Sequence, residues 1–167
     1  MIMTGTVTDT SSFESDFDGW TTGGMDRSFT RWSGNTPISN TGPLSAADGS
    51  YYVYAYAYNN YNLDFDLEKT FPAGQELYGI AFQYHMYGLD MGSAVLESSA
   101  TGTSWASLWS KSGNKGNQWL QATAYAGSGQ TILRFTCVPS DRKERQRAIN
   151  NRHHCLLTLL SPRQVHE

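Results

Sequence analysis

Most of the chain alternates between apolar and polar residues with a period of two, which is the pattern of half-buried β-strands. Residues 51–58 place four tyrosines at even positions on one face, and residues 63–71 place leucine and phenylalanine opposite aspartate and glutamate. Turn-forming Gly, Asn and Pro separate these segments. The pattern therefore predicts an all-β protein whose strands cover residues 13–20, 29–33, 51–58, 63–71, 77–86, 93–97, 105–110, 119–125 and 130–136.

Residues 82–92 contain a bend between two of the predicted strands. Phe82, Tyr84 and Met86 alternate with polar side chains, and Gly88 and Gly92 bracket the bend that follows. Glycine permits backbone angles that a side chain forbids. We therefore expect a central hairpin, in which residues 77–86 pair with residues 93–97.

A long loop is predicted over residues 34–48, which are rich in Gly, Pro, Ser and Asn. Loops of this length in compact domains are often functional. The loop is therefore one candidate contact surface.

Length and composition limit the class of protein. A chain of 167 residues with 13% aromatic and 16% charged side chains fits one globular domain built from strands. Residues 138–167 hold six Lys/Arg against three Asp/Glu, a net +3, so residues 1–137 carry −6 of the total −3. An acidic body argues against nucleic-acid binding. No stretch has the length and apolarity of a membrane-spanning helix.

Four separated segments resemble the MAM domain family, named after meprin, the A5 antigen and receptor phosphatase mu. Residues 82–92 resemble the family's F-x-Y-H-M-Y-G-x-x-M-G hairpin. In the same order as in the family, further similarity lies in residues 29–43 (W-x-R-x-x-G-x-T-P, then T-G-P), 48–52 (D-x-x-G-x-Y) and 108–119 (L-W-x-x-x-G-x-x-G-x-x-W). Together they extend over about residues 13–137.

The resemblance implies an all-β, antiparallel two-sheet jelly-roll β-sandwich. Because the C-terminal tail departs from the family's pattern, we expect the tail to be disordered or irregular. We expect a flexible segment at residues 1–10, a MAM-like domain at residues 11–137 and a basic tail at residues 138–167 in place of the final strand. The family's usual disulfide cysteines are missing from their positions, which hold Ser11 or Ser12 and Asp18. An extracellular or cell-surface location therefore rests on the resemblance, and the chain starts without the basic and apolar regions of a signal peptide.

The tail departs from the family's closing strand. Ala148 to Asn151 is a weak counterpart of the family's A-I-D-D, and the next residues would resemble a closing strand if they were translated one nucleotide over. One hypothesis is therefore that the tail comes from an altered reading frame. Loss of the closing strand would leave the backbone groups of its neighbours unpaired.

A calcium ion is the candidate cofactor. Jelly-roll modules often hold structural calcium beside the first strand, and by that analogy Glu14 and Asp48 are the candidate ligands. The alternative is that these carboxylates are solvated loop acids.

Two sets of aromatic and sulfur-containing side chains are candidate binding residues. Tyr54 and Tyr56 belong to a tyrosine row that either stacks on sugar rings or packs across the strands. Tyr87 and Met91 lie in the 82–92 bend, where they either anchor a protein partner or, like Met86, fill the core.

Catalytic motifs are absent from the sequence. His85 has no second histidine in the body of the chain to form a metal or catalytic pair, and Cys137 and Cys155 are too few for a disulfide framework, although they can pair with each other. The sequence contains neither a nucleophile elbow nor a phosphate-binding loop.

We therefore expect a non-enzymatic adhesion or recognition module that binds a protein, including a second copy of itself. The resemblance implies this function. A carbohydrate-binding module and a non-functional product of a truncated or frame-altered gene are the alternatives.

Overall fold

The computed structural model describes residues 6–57, 63–72, 77–88, 91–139 and 158–166, of which residues 6–8 and 158–166 are described by their backbone only. Within these ranges the chain forms two β-sheets and no helix, so no helix there has the length or apolarity to cross a membrane. The strands are β1 (Thr6–Thr10), β2 (Thr21–Thr22), β3 (Arg27–Ser28), β4 (Thr30–Ser33), β5 (Tyr51–Tyr54), β6 (Phe65–Thr70), β7 (Gly79–His85), β8 (Ser93–Ser99), β9 (Ala106–Ser112), β10 (Leu120–Tyr125), β11 (Ile132–Val138) and β12 (Thr158–His166).

In each sheet, most neighbouring strands are not consecutive along the chain. Sheet A has the order β10-β7-β12-β5-β4, with β1 paired to β12. Sheet B has the order β2-β6-β11-β8-β9, with β3 paired to β6. The pairs are antiparallel except for β3 with β6. Neighbours that are distant in sequence, such as β10 and β7, are what a jelly-roll sandwich requires.

The core lies between the sheets and is largely aromatic. The Phe82 ring of sheet A contacts Phe135 and Trp109 of sheet B at centroid distances of 4.9 and 5.1 Å. Trp20 also contacts Phe135, at a centroid distance of 5.8 Å. Edge-to-face pairs of this kind stabilise a core by about 0.5–1.5 kcal/mol each beyond the area they bury. The predicted fold class, an all-β sandwich of two antiparallel sheets, is confirmed.

The predicted central hairpin is wrong. Strand β7 pairs with β10 and β12 in sheet A, whereas β8 pairs with β11 and β9 in sheet B. The connection therefore crosses from one sheet to the other. Met86 and Met91, at its two ends, have exposed fractions of 0% and 5% and close this end of the core. Burying both side chains between the layers favours the crossing over a hairpin.

The predicted strand over residues 13–20 is also absent. Asp18 accepts a hydrogen bond from the Phe13 amide at 2.6 Å, and Asp16 accepts one from the Asp18 amide at 2.6 Å. Phe13 and Asp18 have positive φ angles of 61° and 49°. These side chains satisfy the backbone locally and so compete with a strand ladder.

Both ends of the chain contribute strands to sheet A. The expectation of an irregular tail is wrong for residues 158–166, since β12 fills the position between β5 and β7. Likewise, residues 6–10 form β1 rather than an unpaired segment. The register of β12 against β7 shifts between Leu160 and Arg163, and Pro162 falls in that irregularity, where its missing N–H is tolerated. Without β12, the facing backbone rows of β5 and β7 would be unpaired. The domain boundaries themselves stay a prediction.

A chain that ends at Val138 tests the contribution of β12. It loses several ladder hydrogen bonds worth about 1 kcal/mol each, so we expect a melting temperature lower by roughly 10 °C or more, or aggregation through the open edges. Circular dichroism melting and sedimentation measure both effects. The matched control is Cys155→Ser, which keeps β12 but leaves Cys137 without a second cysteine. Equal losses in the two variants would contradict a role for the strand.

Candidate functional site

A loop of residues 34–48, here called the covering loop, lies over the outer face of sheet A. The outer face is identified by alternation along β7, since Phe82 and Tyr84 point toward Trp109 of sheet B and His85 points the other way. Two hydrogen bonds attach the loop to this face. The Tyr52 hydroxyl donates to the Gly34 carbonyl at 2.9 Å, and the Trp119 indole N–H donates to the Ser45 carbonyl at 3.0 Å.

His85 lies in an aromatic setting on this face. Its ring is 5.5 Å from Trp119 and 6.3 Å from Tyr87. Nε2 lies 3.1 Å from the side-chain oxygen of Asn117, which fits an N–H donated to an amide. Nδ1 is buried without a hydrogen-bond partner in the described part of the chain, and burial lowers the pKa of His85, an effect that the Asn117 contact only partly offsets. A buried neutral histidine is the consistent state.

The tyrosine row packs along the face of sheet A. Tyr54 lies between Tyr52 and Tyr56, with ring centroids 6.1 and 6.2 Å away, and Trp32 covers it at 6.3 Å. The exposed fraction of Tyr54 is 4%, and burial together with Tyr56 raises the pKa of Tyr54. Tyr56 is half-buried. This geometry favours cross-strand packing over a sugar-stacking platform.

Tyr87 and Met91 have different environments. Tyr87 is half-buried and lines a pocket of about 270 Å³ together with covering-loop residues and Asn117. Its carbonyl accepts a hydrogen bond from the Gly42 amide at 3.0 Å, a third attachment of the covering loop. Met91 is buried, as is Met86. Of the two predicted anchors, therefore, Tyr87 is the one beside an accessible surface.

The two candidate calcium ligands, Glu14 and Asp48, accept hydrogen bonds from backbone amides of residues 49–51. One carboxylate oxygen of Glu14 accepts hydrogen bonds from the Ser50 and Tyr51 amides at 2.8 and 2.9 Å, and these bonds hold the pKa of Glu14 below its usual range. Arg31 donates to the Phe13 and Glu14 carbonyls at 2.5 and 2.6 Å. Asp48 accepts a hydrogen bond from the Gly49 amide. Among the described residues, no group of three or more His, Cys, Asp or Glu side chains is arranged to hold a metal ion.

At the Glu14 turn, two backbone amides therefore occupy one carboxylate oxygen, and the Arg31 guanidinium occupies two backbone carbonyls. Calcium at Glu14 and Asp48 stays a prediction without support from the described donors.

Part of the outer face of sheet A is left open beside the covering loop. A cleft of about 260 Å³ there is lined by Asp48, Ala81, Phe82, Gln83, Gln121, Ala122 and Thr123. Gln83 stands directly opposite Gln121, and Ala81 opposite Thr123, in the β7–β10 register. The sequence analysis missed this cleft. Alternation alone places each glutamine on an outer face, but the pairing of strands far apart in sequence brings the two together.

Cys137 is disulfide-bonded. The second cysteine of the sequence, Cys155, lies outside the described residues. The pairing considered in the sequence analysis is consistent with that bond.

Protonation of His85 is expected to destabilise the fold. Its pKa is lowered from 6.5 in the folded chain, so the unfolded chain binds the proton more tightly. The free energy of unfolding is therefore largest above about pH 6.5 and falls as the pH decreases from there toward the folded pKa. Urea unfolding at about pH 7.5 and 5.5 measures the fall, which we expect to be larger in the native chain than in His85→Gln. An equal fall in both would contradict this assignment.

The comparisons with known proteins agree with this architecture. The family model described as "MAM domain, meprin/A5/mu" matches residues 11–151. The chain is 36% identical over 91 residues to the MAM domain-containing glycosylphosphatidylinositol anchor protein 1 of Rattus norvegicus. That similarity covers 50% of this chain and 10% of the relative, so the chain spans about one tenth of the length of that protein.

Solved structures show the same fold at low sequence identity. The K2 cleaved adhesin domain of Lys-gingipain is similar with a TM-score of 0.67 and 18% identity, over 95% of this chain and 99% of that one. TmCBM61, solved in complex with β-1,4-galactotriose, has a TM-score of 0.55 and 20% identity, over 93% of this chain and 94% of that one.

Most of the chain, from Ser11 to Asn151, is covered by the family model, and its two sheets form the sandwich that the four sequence segments implied. The chain belongs to the MAM domain family.

Proposed function

We propose that this chain is a non-catalytic adhesion or recognition module that binds a protein partner, including a second copy of itself. Its place is outside the cell or at the cell surface. The name of the rat relative, which describes a glycosylphosphatidylinositol anchor, supports the location. The covering loop is the proposed contact surface.

The exposure of Leu44 is the observation that carries this proposal. Its side chain is 74% exposed, although the loop around it is attached to sheet A through Gly34, Gly42 and Ser45. Exposed apolar side chains on an ordered support are typical of protein contact sites, because little conformational entropy is lost when the partner binds.

Two aromatic side chains belong to or adjoin the pocket that Leu44 lines. The Trp32 side chain is 39% exposed, and its indole N–H donates to the Asn35 carbonyl at 2.9 Å. Asn35, Leu44 and Tyr87 line the same pocket. Tryptophan and tyrosine are the side chains that most often dominate binding energy at interfaces. The proposed contact surface therefore combines the aliphatic side chain of Leu44 with the aromatic side chains of Trp32 and Tyr87.

Leu44→Asp is expected to weaken self-association of the chain at least about tenfold, since it places a charge in a contact that loses water. The matched control is Met25→Asp, which changes a side chain of 39% exposure on a different loop. Sedimentation equilibrium measures the dimerisation constant of each. Equal weakening in both variants, or a native chain that stays monomeric, would contradict self-association through this loop.

Carbohydrate binding is the second candidate function. The open cleft with its polar side chains favours it, and the fold is shared with TmCBM61, which was solved with a bound galactotriose. The predicted contribution of Tyr54 and Tyr56 is less favoured, because Tyr54 is almost fully buried. A glycan array probed with the purified chain tests this function independently of self-association.

A further inference from the structure

We propose that the cleft between β7 and β10, walled by Asp48, is a binding site for a single neutral sugar ring with adjacent free hydroxyl groups. This inference rests on the second candidate function and gives it a location and a ligand class.

The cleft presents donors and acceptors to the same small volume. Gln83 and Gln121 are opposite each other across the strand pair, and each carboxamide supplies both N–H donors and a carbonyl acceptor. Thr123 adds a hydroxyl on the next outward position of β10. In the described part of the chain, none of these three side chains has a hydrogen bond to another residue, so their polar atoms remain for a ligand or water.

The floor of the cleft has a small apolar side chain at Ala81. Ala81 lies opposite Thr123 and contributes only a methyl group. Phe82 and Ala122 also line the cleft, but they alternate with the outward positions, and the Phe82 ring packs in the core. A sugar ring has the matching character, because its C–H groups face one way while its hydroxyls point to the rim. Larger side chains at the position of Ala81 would fill this space.

The charge of the cleft selects among sugars. Asp48 is exposed at the rim of the cleft. One of its carboxylate oxygens accepts a hydrogen bond from the Gly49 amide, which leaves the other oxygen for hydroxyl donors. A carboxylate accepts hydrogen bonds and donates none. It therefore suits two neighbouring hydroxyl groups and repels the carboxylate of an acidic sugar.

The size of the cleft limits the length of the ligand. A volume of about 260 Å³ is below the range of about 300–1,000 Å³ that is typical of pockets for drug-sized ligands. One ring fits the space, and the covering loop bounds the side where Asp48 stands. With few hydrogen bonds and an open rim, we expect dissociation constants in the millimolar range.

The test uses the full chain and the methyl glycosides of glucose, galactose, mannose and xylose as probes. Amide chemical shifts are followed by NMR as each glycoside is added. We expect at least one of them to shift the amides of residues 81–83 and 121–123, and methyl galacturonoside to bind at least about tenfold more weakly than the corresponding neutral glycoside.

Substitutions distinguish sugar binding in the cleft from sugar binding at the tyrosine row. Gln121→Ala, which changes an exposed side chain, is expected to weaken binding of the shifting glycoside about tenfold. Tyr56→Ala, on the same sheet face, is expected to leave it unchanged. Asp48→Asn keeps a carbonyl acceptor and removes the charge, so it is expected to remove most of the discrimination against the acidic sugar.

Three results would overturn the proposal. Shifts confined to the covering loop and Tyr56 would place sugar binding elsewhere and leave the second candidate function intact. The absence of shifts with every glycoside, together with an empty glycan array, would contradict both. Equal binding of neutral and acidic sugars by the native chain would refute the assigned ligand class.

Discussion

The structure around the candidate sites depends on the position of Trp119. Its ring contacts Tyr52 and His85 edge to face, at 6.3 and 5.5 Å, and its N–H donates to the Ser45 carbonyl. Two sheet strands and the covering loop therefore meet at one indole. Because Tyr52 has an exposed fraction of 0%, this contact encloses aromatic surface on what would otherwise be a solvent-facing side of sheet A.

The position of the covering loop divides the outer face of sheet A into two parts. Over β5 and the end of β7, the loop buries aromatic rings and exposes Leu44 at its own surface. Over the start of β7 and the middle of β10, the face stays open and polar. Glu14 fixes the end of the loop, because its carboxylate accepts hydrogen bonds from the Ser50 and Tyr51 amides. This places Asp48 at the boundary between the covered and open parts of the face. A protein partner and a sugar would therefore bind to different parts of the outer face of sheet A.

Local sequence patterns predicted the positions of the strands better than they predicted which strands pair. The alternation of residues 119–125 and 130–136 agrees with β10 and β11 to within two residues. The bend after Met86 was located correctly, but glycines permit a sheet-to-sheet crossing as well as a hairpin, and the burial of Met86 and Met91 decides between them. Strand β12 was missed, since Pro162 and polar residues obscure its alternation and only the gap between β5 and β7 requires it. The two-sheet sandwich was predicted from the family resemblance. The cleft needed the β7–β10 register, which no local pattern contains.

Native-state hydrogen exchange of the covering loop tests most directly whether the loop is held on sheet A. The amides of Thr36 and Gly42 donate to the Pro43 and Tyr87 carbonyls at 3.2 and 3.0 Å. Pro43 lies in the loop itself, so attachment is reported by Gly42. If the loop is attached as described, the Gly42 amide exchanges at least about 100-fold more slowly than in an unstructured peptide of the same sequence. Exchange at the unstructured rate throughout residues 34–48 would show that the loop is not held on the sheet, and would contradict the division of the face into covered and open parts.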